Sequence, residues 1–253
     1  MTESELARSF EIGGANYDAH RPGFPAEAAT LLAPVPLKRA LDVGAGTGKF
    51  TRLLVDRART VVAVDPSASM LRELAKNLPS VDCRSGSAED LPIEDEVFDL
   101  ITVAQAFHWF DADAACAEFR RVLIPGGRLG LLWNTPDPTC VWDVEAYKIA
   151  HSGQASDADG DREGDSQSVG REPPRLPGFA FESQHVVPWQ ELISRADYMA
   201  RWTTVSTYLA ANESARSAML TDIESMLDAN PSIRGLETLT LPQRTEIFIY
   251  RRS

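Results

Sequence analysis

Short apolar runs alternate with amphipathic segments between residues 38 and 134 of the chain. The runs are apolar at nearly every position and rich in β-branched residues, which is typical of strands buried on both faces of a parallel sheet. The segments between them carry apolar residues at helical spacing, as at Ala115, Phe119 and Val122. The pattern predicts an α/β fold with strands at Arg39–Gly44, Thr60–Val64, Val81–Arg84, Phe98–Ala104 and Arg128–Trp133.

The second half of the chain has a less regular pattern. Residues 152–177 are rich in Gly, Ser, Asp and Pro and nearly free of apolar residues, which predicts a long, mobile surface loop. A strand is predicted at Phe181–Val187, and β-type runs follow within Leu236–Arg251, where we expect Pro242 and Gln243 to break the pattern. The predicted helices are Thr47–Ala58, Ser67–Asn77, Ala112–Leu123, Ser194–Ala211 and Glu213–Ala229.

The charge and composition of the chain exclude some classes of binding partner. The 253 residues carry a net charge of −12 and give a pI of about 4.8, which opposes docking on a polyanion. We therefore expect no nucleic-acid partner and no membrane partner. No apolar run is long enough to span a bilayer, and the N-terminus lacks a secretory signal, so the expected location is cytoplasmic.

No metal site is expected from the sequence. Cys83, Cys116 and Cys140 are isolated along the chain, which favours reduced thiols over metal ligands or disulfide partners. The acidic run at residues 157–168 misses the register of a calcium loop, because Arg162 stands where such a loop needs its glycine.

The stretch LDVGAGTGKF at Leu41–Phe50 places three glycines directly after the first predicted strand. A dinucleotide fingerprint needs a third glycine where this chain has Lys49, and that glycine permits close packing of helix on strand. A nucleoside-triphosphate loop needs a glycine in place of Val43 and a hydroxyl in place of Phe50. Both phosphate-binding interpretations therefore fail on register.

The pattern that remains is Asp-x-Gly-x-Gly-x-Gly, which runs from Asp42 to Gly48. Its glycines allow a sharp turn and a close approach of the backbone to a ligand. Asp42 lies at the end of the strand and suits a cationic group such as a ligand amine. Asp65 ends the second strand and is placed to accept two hydrogen bonds from ribose hydroxyls.

These motifs resemble those of class I S-adenosylmethionine-dependent methyltransferases. LDVGAGTG is similar to the first motif of that family, VVAVDPSASML to the second and FDLITVAQAFHWFD to the fourth, while SGSAEDLP resembles the segment along the adenine. The resemblance implies a Rossmann-like seven-stranded, mostly parallel sheet whose last strand is antiparallel, with helices on both faces and an added helical cap. It also implies S-adenosylmethionine as the cofactor. The implied cofactor-binding residues are Asp42, Gly44, Ala45, Gly46, Asp65, Pro66, Ala88, Glu89, Gln105, Ala106, Tyr17 and Arg21.

The segment YDAHRPGFP at Tyr17–Pro25 and the element HWFD are similar to those of trans-aconitate methyltransferase-like enzymes, a small-molecule branch. Arg21 either pairs with a carboxylate of the cofactor or of an acidic substrate, or is a solvated charge. His108 follows the fourth strand and is the candidate catalytic residue, as a base for a hydroxyl acceptor, although a structural histidine fits the same pattern. Trp109 is the candidate pocket wall.

The sequence thus favours an enzyme that methylates a small organic acceptor at a carboxylate or hydroxyl oxygen. The alternative is a non-catalytic S-adenosylmethionine-binding sensor or partner subunit, and Lys49 disfavours a nicotinamide enzyme. We expect a monomer or homodimer. The predicted regions are an N-terminal helical or lid segment at 1–36, a cofactor-binding core at 37–134, and a variable, partly flexible loop region at 135–180. The C-terminal strands and substrate-capping helices at 181–253 are expected to complete the same domain.

Overall fold

Seven strands form one sheet in the computed structural model, which describes residues 22–95, 97–151 and 172–253. In chain order the strands are β1 Leu37–Val43, β2 Ala58–Asp65, β3 Asp82–Ser85, β4 Phe98–Ala104, β5 Leu123–Pro136, β6 Phe179–Ser194 and β7 Thr238–Arg252. Their order across the sheet is β3-β2-β1-β4-β5-β7-β6. Only β7 runs against the other described strands, because both β5 and β6 pair with it antiparallel. The predicted seven-stranded, mostly parallel sheet is confirmed.

Helices cover both faces of this sheet. In chain order the described helices are α1 Ala26–Leu32, α2 Thr51–Leu54, α3 Ala68–Asn77, α4 Ala112–Val122, α5 Val141–Ala150, α6 Arg195–Trp202, α7 Ser206–Ala210 and α8 Glu213–Ala229. Leu32 of α1 and Leu74 of α3 are buried in one apolar core, and Phe119 of α4 is buried in the core on the opposite face. The expected Rossmann-like arrangement is therefore present.

The first predicted helix, Thr47–Ala58, is wrong in both of its bounds. Only Thr51–Leu54 is helical, and the following strand already begins at Ala58. Gly48 has a φ of +88°, a left-handed conformation that a helix does not contain. The glycine loop therefore extends further along the chain than apolar spacing indicates.

The predicted break at Pro242 and Gln243 is also wrong, because β7 continues through both residues. β5 pairs with β7 only as far as Gln243, so Pro242 lies where β7 has β6 as its neighbour but no longer β5. A strand edge without a partner tolerates proline, which has no N–H to donate. The strands β6 and β7 consequently extend together beyond the carboxyl end of β5.

The predicted helix Ser194–Ala211 is in fact two helices, α6 and α7. The hydroxyl groups of Thr203 and Thr204 donate to the carbonyl oxygens of Ala200 and Arg201, each at 2.7 Å. Such bonds back to the preceding turn compete with continuation of a helix. Val205 then adopts an extended conformation with ψ of 149°, which separates the two helices.

A helical cap lies over the extended ends of β6 and β7. Its apolar core is formed by residues of α5, α6 and α8 together with side chains of the two strands. The ring centroids of Trp142 and Tyr198 are 5.3 Å apart, and those of Tyr198 and Trp202 are 5.9 Å apart. Helix α5, within the region 135–180 that shows little pattern in the sequence, is thus part of this cap.

Within the cap, the hydroxyl of Tyr198 donates to Oδ1 of Asp143 at 2.7 Å. Asp143 is only 4% exposed, and this burial raises its pKa from 3.8 to about 6. Burial likewise raises the pKa of Tyr198, so the tyrosine stays protonated and donates. The cap therefore contains a carboxylate whose charge opposes folding.

We predict that Asp143→Asn stabilises the protein at neutral pH and reduces the pH dependence of its stability. A folded-state pKa above the unfolded value favours folding below about pH 4, and that contribution is lost as the pH rises through about 6. The amide retains an acceptor for Tyr198 but carries no charge, so the gain at pH 7.5 is on the order of 2 kcal/mol.

Urea unfolding of both proteins at pH 4, 5, 6 and 7.5 measures this effect. The exposed Asp222→Asn is the matched control and should change the free energy of unfolding little at every pH. Equal stability of Asp143→Asn and the parent at pH 7.5 would contradict the prediction.

Candidate cofactor site

The glycine loop folds back against the end of β2. The amide groups of Gly44 and Ala45 both donate to the carbonyl oxygen of Val64, at 2.9 and 3.1 Å. Gly44 has a φ of +67°, and a Cβ atom there would lie 2.5 Å from Cβ of Ala106. Glycine is therefore required at this position both by the turn and by the approach of the segment after β4.

Asp65 fixes the loop from the neighbouring strand. Its Oδ2 accepts a hydrogen bond from the amide of Gly46, and its Oδ1 accepts one from the amide of Ser67, both at 2.8 Å. The residue is 7% exposed, and burial raises the pKa of its carboxyl. The next residue, Pro66, is exposed. A carboxylate at the carboxyl end of β2 is thus held beside the glycine loop.

Asp42 lies beneath the loop and is 1% exposed. Its two carboxylate oxygens accept hydrogen bonds from Oγ1 of Thr51 at 2.6 Å and from Oγ1 of Thr102 at 2.7 Å. Burial raises the pKa of Asp42 to about 6, against the opposing effect of these two hydroxyl donors. The side chain ties the start of α2 to β4, and its contact with a ligand amine stays a prediction.

The predicted adenine segment packs against the start of α4. Ala88 is buried, and Oε1 of Glu89 accepts a hydrogen bond from the amide of Asp111 at 3.0 Å. Asp111 in turn caps α4 by accepting from the amides of Asp113 and Ala114. Glu89 therefore orients this segment relative to α4, and Ala88 lies next to it in the core.

Gln105 directly follows β4 and has a φ of 59°, which is unusual for a residue other than glycine. Its Nε2 donates to the carbonyl oxygen of Asn134 at 3.2 Å. Such strained conformations persist where the surrounding structure enforces them, and they cluster at functional sites. Ala106 follows in the closely packed position opposite Gly44.

Asn134 joins three elements at the carboxyl edge of the sheet. Its Nδ2 donates to the carbonyl oxygen of Gly23 at 2.8 Å, and its Oδ1 accepts from Oγ1 of Thr245 at 2.7 Å. Sequence reasoning did not identify Gly23 or Thr245, since they lie 111 residues from Asn134 along the chain. The signal in the sequence that could have indicated a role for Asn134 is its position directly after the predicted fifth strand, at the edge of the sheet where the site lies.

His108 lies in a single 3₁₀ turn, Phe107–Trp109, just after β4. Its ring centroid is 4.9 Å from that of Trp109, and its Nε2 is shielded from solvent. Trp109 is 41% exposed. Both side chains are thus at the edge where the glycine loop lies, and a catalytic role for His108 stays a prediction.

Two of the predicted cofactor-binding residues, Tyr17 and Arg21, lie outside the described residues, as does most of the predicted loop at 152–177. Across the described ranges, no group of three or more His, Cys, Asp or Glu side chains is arranged to hold a metal ion. No helix in those same ranges has the length and apolarity needed to cross a membrane.

Comparison with known proteins agrees with this geometry. A family model described as a methyltransferase domain matches residues 41–131. An uncharacterized methyltransferase of Mycobacterium tuberculosis is 36% identical over 247 residues, which cover 97% of each chain. A malonyl-[acyl-carrier protein] O-methyltransferase of Methylococcus capsulatus is 46% identical over 104 residues, which cover 39% of this chain and 38% of that relative.

A solved structure named for a proposed type II methyltransferase of Anaeromyxobacter dehalogenans superposes with a TM-score of 0.69 at 24% identity, covering 91% of this chain and 97% of that one. At that identity the likeness supports the fold. The glycine loop, the acidic end of β2 and this sheet define a class I methyltransferase. The chain belongs to the S-adenosylmethionine-dependent methyltransferase family, and S-adenosylmethionine is its cofactor.

The loop geometry fits this cofactor. Gly46 has a φ of +54°, and the nearest atom to a Cβ built there is Sδ of Met70, at 3.6 Å. The protein itself therefore leaves room at Gly46, beside the carboxylate of Asp65. The glycine at this position is explained by its conformation and by ligand approach rather than by internal packing.

We predict that Gly46→Asn lowers the affinity for S-adenosylmethionine about tenfold or more, equivalent to about 1.4 kcal/mol. Asparagine tolerates a positive φ better than most residues, so the main effect is a side chain in the path of the ligand. Gly126→Asn is the matched control, because Gly126 has a φ of +73° and no atom within 4 Å of its Cβ position.

Titration calorimetry on both variants, with thermal melts to verify folding, measures the difference. Equal loss of affinity in the two variants, or none in Gly46→Asn, would contradict the assignment of the loop.

Proposed function

We propose that the chain transfers the methyl group of S-adenosylmethionine to a small organic acceptor, at a carboxylate or hydroxyl oxygen. The observation that carries the proposal is the arrangement of the glycine loop, Asp65 and Gln105 at one edge of the sheet, next to a helical cap. Ligands of open α/β sheets bind at this edge, where the strand order changes direction between β1 and β4.

The cofactor, when bound, supplies a methyl group on a sulfonium, which is already strongly electrophilic. The protein therefore contributes mainly by holding the reactants in line. In the proposed complex, Asp65 accepts hydrogen bonds from the ribose hydroxyls. The backbone from Gly44 to Gly46 lies along the amino-acid end of the cofactor. Gln105 and Ala106, which follow β4, line that same end. Pro66, Ala88 and Glu89 border the nucleoside. Tyr17 and Arg21 are proposed to approach from the N-terminal segment. Gly23, two residues after Arg21, accepts a hydrogen bond from Nδ2 of Asn134 at this edge.

Two resemblances favour oxygen as the methylated atom. The relative from Methylococcus capsulatus is named as an O-methyltransferase, although the match covers 39% of this chain. The Tyr17–Pro25 and HWFD segments resemble the trans-aconitate methyltransferase-like branch, whose acceptors are carboxylates. A carboxylate attacks without losing a proton, whereas a hydroxyl needs a base, and His108 is the candidate base.

The alternative is a sensor or partner subunit that binds S-adenosylmethionine without turnover. The match over 97% of a methyltransferase chain favours the enzyme. A screen of small carboxylic acids and alcohols for release of S-adenosylhomocysteine tests the proposal. Binding of the cofactor without release for any acceptor would favour the sensor. A cytoplasmic location and a monomer or homodimer stay predictions.

We predict that Asp65→Ala weakens binding of S-adenosylmethionine by about 1.5–3 kcal/mol, because the ribose loses charge-assisted hydrogen bonds. Asp56→Ala, which removes an exposed carboxylate from the segment after α2, is the control and should bind normally. Calorimetry gives the affinities, and circular dichroism shows whether each variant folds. An unchanged affinity in folded Asp65→Ala would refute the ribose assignment.

We predict that His108→Gln leaves cofactor affinity unchanged and lowers turnover only modestly, because a carboxylate acceptor requires no base. With a hydroxyl acceptor, loss of the base lowers turnover by about 10²–10⁴-fold. Steady-state rates with the best acid and the best alcohol from the screen distinguish these outcomes. If His108→Gln loses both folding and cofactor binding, the residue is structural and neither role holds.

A further inference from the structure

One face of the antiparallel β6–β7 pair runs from the cofactor edge into the cap. Residues paired directly across strands share a face, so Asn134, Thr245 and Val187 form one row on this face. Trp189, opposite Gln243, lies in the next row, and Glu191, opposite Leu241, lies in the row after that. At about 3.3 Å per residue, Glu191 is about 13 Å from the first row.

Glu191 carries a charge into the apolar core of the cap. The flanking side chain on its face, Ile193, and the side chain of Leu241 opposite it are both buried in that core. Oε1 of Glu191 accepts from Nη2 of Arg201 at 2.8 Å, and the two side chains are only 19% and 12% exposed. The ion pair balances the charge of Glu191, and the nearby buried carboxylate of Asp143, which interacts electrostatically with both side chains, disfavours an anionic ligand here.

Two polar atoms on this face remain without a hydrogen-bond partner among the described residues. They are Oε2 of Glu191, which can only accept while ionised, and Nε1 of Trp189, which can only donate. Both atoms are buried, and buried polar groups in native proteins are nearly always paired. Since the residues are two apart on one strand, their side chains are neighbours.

We propose that Trp189 and Glu191, with Arg201, form a subsite for the far end of the methyl acceptor, and that it takes an uncharged hydroxyl group on an apolar body. A hydroxyl donates to Oε2 of Glu191 and accepts from Nε1 of Trp189 with a single oxygen atom. The apolar side chains of Ile193 and Leu241 lie beside Glu191, which favours an apolar body for the rest of the group. The proposal that this ligand is the methyl acceptor rests on the proposed function; the subsite itself does not.

The position of the subsite sets the shape of the acceptor. A molecule that reaches from the Gln105–Asn134 region to Glu191 spans about 10 Å or more. The methylated oxygen lies at one end and the hydroxyl at the other. Acceptors of only a few atoms leave the subsite unused.

Fluorine NMR with two matched probes, 4-fluorophenol and 4-fluoroanisole, tests the subsite on the full chain saturated with S-adenosylhomocysteine. The anisole has the same ring but cannot donate a hydrogen bond. We expect the parent protein to bind the phenol about tenfold more tightly, the scale for a hydrogen bond to a charged group. Equal binding of the two probes, or no binding of the phenol, overturns the proposal.

Three variants locate the binding. Glu191→Gln should weaken binding of the phenol about tenfold and leave the anisole unaffected, and Trp189→Phe, which keeps an aromatic ring but removes the N–H, should weaken it about threefold. Gln190→Glu is the control, because Gln190 is exposed on the opposite face of the same strand, and it should bind as the parent does. Parent-like binding in both Glu191→Gln and Trp189→Phe overturns the subsite.

Two further measurements distinguish a failure of the subsite from a failure of folding or of the cofactor site. If Glu191→Gln does not fold, Trp189→Phe decides, because it leaves the Glu191–Arg201 ion pair intact. Calorimetry with S-adenosylhomocysteine on the same samples tests the cofactor site independently, and the probes are also measured without it. With an acceptor from the screen, Trp189→Phe should raise KM about threefold with kcat unchanged; a fall in kcat alone would contradict a binding role at the far end.

Discussion

The buried carboxylate of Asp42 is the interaction on which the cofactor site depends. It joins the hydroxyl of Thr51, at the start of α2, to that of Thr102 in β4. The glycine loop connects β1 to α2 directly above it, so these two bonds determine where the loop lies relative to β4. Asp65 then holds the loop from the other side through the amide of Gly46. The loop is thus fixed by carboxylates from two adjacent strands.

This arrangement has an electrostatic cost. Asp42 and Asp65 are both buried, each has a raised pKa, and Asp65 adds a repulsive contribution at Asp42. The hydroxyl and amide donors offset part of this cost, but the burial contribution is larger. A site built this way trades stability for a fixed geometry, which is common where residues are preorganised for a ligand.

Much of the fold could be predicted from the sequence because apolar runs, their alternation with helical segments and glycine spacing are local signals. The strands β1 to β4 and the cofactor loop follow directly from them. The continuous β7 could not be predicted, because the tolerance of Pro242 depends on where β5 ends in space. The split between α6 and α7 depends on the hydroxyls of Thr203 and Thr204. A pattern of apolar residues does not reveal this effect.

The residues of the candidate site likewise fall into those that the sequence identifies and those that only the folded structure reveals. Asp42, Gly44, Gly46 and Asp65 lie within 24 residues of one another, so a motif can identify them. The contacts of Asn134 with Gly23 and Thr245 bridge more than a hundred residues and exist only in the folded chain. Side chains that line the cap, such as Trp189 and Glu191, carry no motif. The role proposed for them rests on their register on β6 and on burial.

The continuity of β6 and β7 has a consequence for how an acceptor enters. The two strands pair in one continuous register from Ser183 opposite Ile249, within the sheet, to Ser194 opposite Thr238, within the cap. A hinge at the base of the cap would have to break this ladder of backbone hydrogen bonds. The strand part of the cap therefore moves rigidly with the sheet, and any gate must lie on its helical side. On that side the helical path is broken at Thr203 and Thr204, between α6 and α7.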